Sequence, residues 1–282
     1  LVNWIKHNYP SLEIKASIIA NIDSLSKAKQ WESRGADSIV LGLDCNRDFA
    51  LLANIVKNIK CTISLVVNLA CLRSCALSQY HYVLGSHASQ SKHKVKHFFI
   101  DYCMYFCSWL RFSDLSQIIR SGWIRPEDLP LYEDIGIRSF KIVGRILPTP
   151  KIVQITRAYV QKQYDGNLLE LLAPFSGESE FTFEKFLRGI KYILRFSKIK
   201  LSFLREMLAV SKKKPVFIDN RSLDGFLEAF RNRDCRLEDC SRCRYCLNIA
   251  ERVVKIDPDL KKEMQGSYRK ILDALESGAP FK

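Results

Sequence analysis

No run of eighteen apolar residues occurs anywhere in the 282-residue chain, so no stretch has the length and apolarity of a membrane-crossing helix. Internal repeats and low-complexity tracts are missing as well, which argues against solenoids and linker-type chains. Several catalytic signatures are also absent. Nothing reads as a Ser-His-Asp set, an H-E-x-x-H zinc site or a paired-carboxylate dyad. The C-x3-C-x2-C motif of SAM-type radical chemistry is lacking too, because Ser78 and Leu110 stand where its third cysteine would fall.

What is present is ordinary globular material, 47% apolar and 26% charged, long enough to bury one large core or two smaller ones. The chain opens on Leu1 directly into "NWIKHNYPSLEIKASII", which reads as the interior of a domain, so a preceding portion is expected. Charge is unbalanced. The formal net charge is +14, which raises the prospect of an anionic partner. Between Phe181 and Lys214 ten basic residues face only Glu184 and Glu206. At 100° per residue, Phe183, Phe186, Leu187, Ile190, Ile193 and Leu194 fall on one side of a helix there. Lys185, Arg188, Lys191, Arg195 and Lys198 fall on another. Such a basic face suits an RNA backbone, and a solvated surface would look the same.

Hydrophobic periodicity divides the chain near residue 175. Before it, strands ("EIKASII", "SIVLGL", "CTISLVV", "KHFFIDY", "SFKIVGR") alternate with helices ("SLSKAKQWESRG", "NRDFALLANIVKNI", "DLSQIIRS", "RPEDLPLYEDIG", "TPKIVQITRAYVQKQYDGN"). That βαβα order predicts an α/β fold with a mostly parallel sheet, open or barrel. With about five strands visible, a closed (β/α) barrel would need strands from before Leu1 or from a partner chain. The expected organisation is a partial (β/α) barrel over 1–172, a linker over 173–180, and a mainly helical, basic, Cys-rich region over 181–282.

Ten cysteines in a long, regularly patterned chain point to metal rather than to a disulfide scaffold. Cys45 and Cys61 stand apart and read as small buried residues. Cys71 and Cys75 are spaced C-x3-C, as are Cys103 and Cys107. On a helical turn each i, i+4 pair projects to one face, so the two pairs could surround one centre. "DCRLEDCSRCRYC" places Cys235, Cys240, Cys243 and Cys246 at C-x4-C-x2-C-x2-C, the most specific metal signal in the chain. Four thiolates suit an iron–sulfur cluster or zinc. Arg231, Arg233, Arg236, Arg242 and Arg244 flank the group and would offset thiolate charge. His81, His87, His93 and His97 lie in one polar stretch and read as plain loop residues, with the catalytic, ligand or proton-shuttling reading stronger for His81 and His87 because they sit beside the first cysteine pair. Lys141 and Arg145 share a face of "FKIVGR", where they would hold an anion or pair with a neighbouring acid. Asn68, at a strand end three residues before Cys71, is a supporting candidate.

"NLACLRSCALSQYHYVLGSHASQ", "FFIDYCMYFCS" and above all "SGWIRPEDLPLYEDIGIRSFKIVGRILPTPKIVQITRAYVQKQYDGNLLELL" resemble the collagenase-like peptidase family U-32, over roughly residues 10 to 172. The resemblance implies a TIM-barrel-type domain with a 4Fe-4S cluster. It also implies either peptide hydrolysis or oxygen-independent hydroxylation of RNA bases or quinone precursors, with a prephenate-like anionic co-substrate in the RNA cases. Carried over by position, Cys71, Cys75, Cys103 and Cys107 match the cluster-binding stretch. The chain departs from the family in lacking the Glu-x-Phe block with C-x4-G-x-C of the collagenase-type branch, which counts against collagenase activity, and in lacking the first half of the barrel.

Three expectations follow. One is a cytoplasmic iron–sulfur hydroxylase, its cluster beside His81 and His87 and its anionic co-substrate on Lys141 and Arg145. A second is a peptidase. The third is a non-catalytic, metal-stabilised RNA-binding subunit, with zinc on the C-terminal cysteine group and a partner chain that completes the barrel.

Overall fold

The computed structural model describes residues 1–88, 100–144, 147–173, 175, 200–211 and 216–280. Two compact units interleave along the chain. The first comprises Leu1–Ser74, Ile118–Gly177 and Phe217–Val254, and the second comprises Cys75–Gln117, Glu178–Val216 and Lys255–Lys282. The division expected near residue 175, the linker and the basic stretch 181–199, with Lys185, Arg188, Lys191, Arg195 and Lys198, fall largely outside the described residues.

The first unit is α/β. Strands β1 (Lys15–Ala16), β2 (Ser38–Val40), β3 (Thr62–Val66) and β4 (Ser139–Lys141) form a parallel sheet in the order β1-β2-β3-β4. Register runs Ala16 to Ile39, Ile39 to Ile63 and Leu65 to Phe140. Strand β3 is buried from Ile63 onward, Ser64 included, as a strand covered on both faces is. "EIKASII" is a shorter strand than its pattern predicts. After Ala16 the chain turns through a 3-10 helix, Ile18–Ala20, into Asn21 at φ 45°, and pairs again only where Ile22 bridges Leu41. Of "KHFFIDY", residues 96–99 are outside the described set, and Tyr102 already opens a helix.

Local signals set the helices between these strands. Ser24 caps Leu25–Ser33 by accepting from the Lys27 amide, and Gly35, at φ 93°, turns the chain after its end. Asp48 caps Phe49–Asn58 by accepting from the Leu51 amide at 2.8 Å. That helix buries Phe49, Leu52 and Ile55, the stripe its spacing predicts. The segment just before it, Leu43–Arg47, is a 3-10 helix that fits tightly against Ser121–Trp123. Asn46 Nδ2 donates to the Gly122 carbonyl at 2.6 Å and to the Val66 carbonyl at 2.8 Å. A Cβ at Gly122 would collide with the Leu43 carbonyl oxygen, so only glycine allows this approach. Trp123, Tyr132, Phe226, Ile39, Leu52 and Leu65 are fully buried in the core of this unit.

Helices dominate the second unit. Tyr102–Ser113 packs against Pro258–Glu276, with Tyr268 stacked on Phe112 at 5.6 Å and tilted against Tyr105 at 6.3 Å. Leu201–Ser211 packs on the same long helix. Asp257 caps it by accepting from the Leu260 amide, with Pro258 at the first helical position where its missing N–H costs nothing. Among the described residues, no helix is long and apolar enough to cross a membrane.

Candidate functional site

Cys235, Cys240, Cys243 and Cys246 all line one pocket of the first unit, with an open volume near 380 Å³. Local structure explains how thirteen residues of sequence bring four thiols to one space. Asp234 stops the chain by accepting from the Arg236 amide. Asp239 then caps the single helical turn Cys240–Cys243 by accepting from the amide and hydroxyl of Ser241 at 2.8 Å. Arg244 takes a left-handed conformation, φ 51°, which breaks that turn from the next helix, Tyr245–Val253, and lets Cys246 join the group. The second helix is anchored from below: the Tyr245 hydroxyl donates to the Phe226 carbonyl at 2.9 Å and its ring stacks on Phe226 at 5.8 Å.

Arginines surround the thiols. Arg73, Arg120, Arg233 and Arg244 line the pocket with them, against one carboxylate, Glu238. Arg233 Nη1 donates to Cys243 Sγ at 2.9 Å while its guanidinium lies over the Tyr245 ring at 4.9 Å. Arg73 Nη2 donates to the Cys235 carbonyl at 2.7 Å, tying the segment after β3 to the cysteine loop. Burial pushes the Cys246 thiol up, and the charges of Arg47 and Arg120 oppose that rise. Of the arginines that flank the motif in sequence, only Arg233 and Arg244 reach the pocket. Arg231 pairs with Glu228, Arg236 with Asp48 at 2.6 Å, and Arg242 is 90% exposed beside Asp239. Arg73 and Arg120 come from distant segments, and nothing in the local sequence marks them for this place.

Among the described residues, no three His, Cys, Asp or Glu side chains stand close enough to hold one metal ion directly. Zinc would draw its thiolates to one point, at Zn–S distances of about 2.3 Å. A cluster spreads them, because each thiolate bonds a different iron. Four thiols lining one arginine-walled pocket are a donor set that suits zinc or an iron–sulfur cluster.

The other expected residues are placed as follows. Cys71 belongs to the first unit, just past the point where Leu69 bridges Ala173, while Cys75, Cys103 and Cys107 belong to the second. Cys103 and Cys107 sit one turn apart on Tyr102–Ser113, as their spacing predicts. Burial, the Asp101 carboxylate and the other thiols push Cys103 up to about 11. Cys107 is also pushed up by burial, opposed by Arg111, whose Nη1 donates to its sulfur at 3.4 Å. His81 and His87 lie on a helix, Ser78–Ala88, where a polar loop was expected. Six residues apart, they point about 120° from each other around it and share no face. His81 Nε2 pairs with Asp101 Oδ2 at 3.0 Å, which holds the imidazole above its ordinary range. Lys141 ends β4, and Arg145 is outside the described residues. Asn68 is a brace: it donates to the Val143 and Leu171 carbonyls and accepts from the Val143 amide, clipping the end of β3 to that of β4. Cys45 is buried, its sulfur directed at the Ile22 carbonyl, whereas Cys61 is only half-buried.

No family model matches the chain, and no solved structure matches it. Over 256 residues, 91% of its length, the chain is 32% identical to the uncharacterized protease MJ1657 of Methanocaldococcus jannaschii, and it spans 64% of that relative.

Proposed function

We propose that this chain is part of an iron–sulfur enzyme of the U-32 kind, an oxygen-independent hydroxylase, whose cluster is held by Cys235, Cys240, Cys243 and Cys246. The observation that carries the reading is the convergence of those four thiols on one pocket walled by Arg73, Arg120, Arg233 and Arg244. Order in the sheet supports the architecture. Four parallel strands in sequential order, without reversal, follow the winding of a (β/α) barrel, whereas a doubly wound sheet reverses its strand order.

When bound, such a cluster supplies one-electron transfer or a Lewis-acidic iron. The remaining work falls to the chain. The guanidiniums screen the mutual repulsion of the thiolates, and the N–H of Arg233 on Cys243 Sγ withdraws charge from that sulfur. Hydroxylation balances as R–H plus donor–OH giving R–OH plus donor–H, with a prephenate-like hydroxylated carboxylate as donor. An RNA substrate is favoured by the net charge of +14.

Anaerobic purification followed by iron, acid-labile sulfide and zinc analysis tests the reading. Iron and sulfide near equimolar in the wild type, lost in Cys243→Ala, are expected. Zinc alone would overturn it. A second reading, peptidase, is favoured by the name of the relative and by the His81–Asp101 pair, which orients an imidazole as a base requires. Peptide hydrolysis that survives iron chelation and is lost in His81→Ala would establish that reading instead.

A further inference from the structure

The two faces of the β1–β4 sheet differ in kind. Side chains alternate along a strand, and residues in register share a face. Ala16, Ile39, Ile63 and Leu65, all buried, lie on one face. The other carries Lys15, Ser38 and Thr62 in one row, Val40, Ser64 and Ser139 in the next, and Val66 and Lys141 in the third. A parallel sheet covered on both sides is built mainly of apolar residues. Two lysines and four hydroxyls on a single face depart from that rule.

Lys15 reaches across β2, and its Nζ donates to Ser64 Oγ at 2.9 Å. Ser64 Oγ lies 2.7 Å from Ser139 Oγ, so the two hydroxyls share one hydrogen bond and one hydroxyl proton is left over. If Ser139 donated, the spare proton would be stranded on Ser64, which is wholly buried, at the cost of an unsatisfied donor. With Ser64 donating, the spare proton belongs to Ser139, which is half-buried and within reach of an incoming acceptor. Lys141 follows two residues on along the same face, and among the described residues its Nζ has no hydrogen-bond or ion-pair partner. Nor does any described carboxylate pair with Lys15, whose ammonium keeps two N–H donors beyond the one given to Ser64. Donors without acceptors, two of them cationic, lie on one face of one sheet.

We infer that Lys15, Ser139 and Lys141 form an anion-binding site on this face, which takes the carboxylate or phosphate group of a small ligand. An anion there accepts the spare Ser139 proton and relieves the repulsion of the two ammoniums. No cysteine takes part, so the site stands or falls independently of the metal reading.

Calorimetric titration of the whole chain with inorganic phosphate and, separately, with malonate tests the site, at constant ionic strength. Saturable binding of at least one of them is expected; phosphate alone marks a phosphate ligand, malonate alone a carboxylate. Lys15→Met and Lys141→Met are each expected to weaken binding roughly 10- to 100-fold, the loss of a charge-assisted hydrogen bond, and Ser139→Ala about 10-fold. Lys57→Met removes the same charge from an exposed position on the helix Phe49–Asn58 and is expected to change nothing. Equal weakening in Lys57→Met overturns the site, because net charge alone would then attract the anion. Unchanged affinity in Lys141→Met also overturns it, by placing the anion elsewhere, such as at the arginine-walled pocket. So does the absence of saturable binding of either anion. The Lys141 side chain bonds to no described residue, so Lys141→Met is expected to fold, and it decides the matter should Lys15→Met not fold. Wild type that holds no iron yet binds the anion overturns the metal reading and leaves this site standing.

Discussion

Around Cys246 the charges that act on the thiol include the guanidiniums of Arg47 and Arg120, whereas around Cys103 they are the Asp101 carboxylate and two further thiols. Both sulfurs are raised by burial. Nearby cations oppose the rise at Cys246 and not at Cys103, although one turn on from Cys103 the Arg111 guanidinium opposes the rise of Cys107. Clustering of cysteines alone therefore says little about metal. The wall of four arginines marks out the C-terminal group, although each group reads as a plausible ligand set in sequence.

The largest test of this contrast is a paired substitution. Cys246→Ser is expected to abolish iron and sulfide retention, and Cys107→Ser to leave the iron content of the anaerobically purified protein unchanged. Equal loss from both would break the comparison and restore the Cys71, Cys75, Cys103 and Cys107 set as ligands. Next in size is Gly122→Ala. The new methyl meets the backbone carbonyl of Leu43, which cannot swing aside as a flexible side chain could, so a loss of about 1–3 kcal/mol is expected. Thermal or denaturant unfolding reads it directly.

Legibility from sequence followed the range of the interactions. The β3 strand, the stripe Phe49, Leu52 and Ile55, and the stop at Gly35 depend on neighbours within a few residues, and these were readable, whereas the helix was placed from Asn46 and its Asp48 cap was not read. The 3-10 helix Leu43–Arg47 was not, because it forms to meet Ser121–Trp123 across seventy residues of chain. Arg47 escaped for the same reason. In sequence it is one basic residue before Asp48, and its burial exists only once Trp123, Phe226 and Phe230 close around it. The four C-terminal cysteines were visible by spacing, whereas which arginines serve them was not: Arg231, Arg236 and Arg242 are adjacent in sequence yet are matched with acids.

A third, smaller effect concerns thiol reactivity. With Cys103 held at about 11, its thiolate fraction near pH 8 falls roughly a hundredfold below that of an ordinary thiol. Peptide mapping after a short iodoacetamide pulse is expected to find it among the last cysteines modified, and faster in Asp101→Asn. Labelling at the rate of a free thiol would mean that this helix does not hold the thiol protonated, and the contrast with Cys246 would lose one side.

The smallest effect is a pH dependence confined to the second unit. His81 is raised by its hydrogen bond to Asp101, with burial opposing. A histidine whose folded value lies above its unfolded value of 6.5 contributes stability that is complete below that pH and is lost as pH rises through the folded value. The side chain is 46% exposed, so screening holds the contribution under about 1 kcal/mol. Asp101→Asn isolates it, because asparagine can still accept from the Met104 amide and keep the helix cap while the charge is gone. Proton NMR titration is expected to show His81 moving down toward 6.5 in that variant, and unfolding at pH 6 and pH 8 to differ less than in the wild type. An imidazole that titrates identically in both would show that Asp101 exerts no field on its surroundings, and the raised Cys103 would then have to be ascribed to burial and its sister thiols alone.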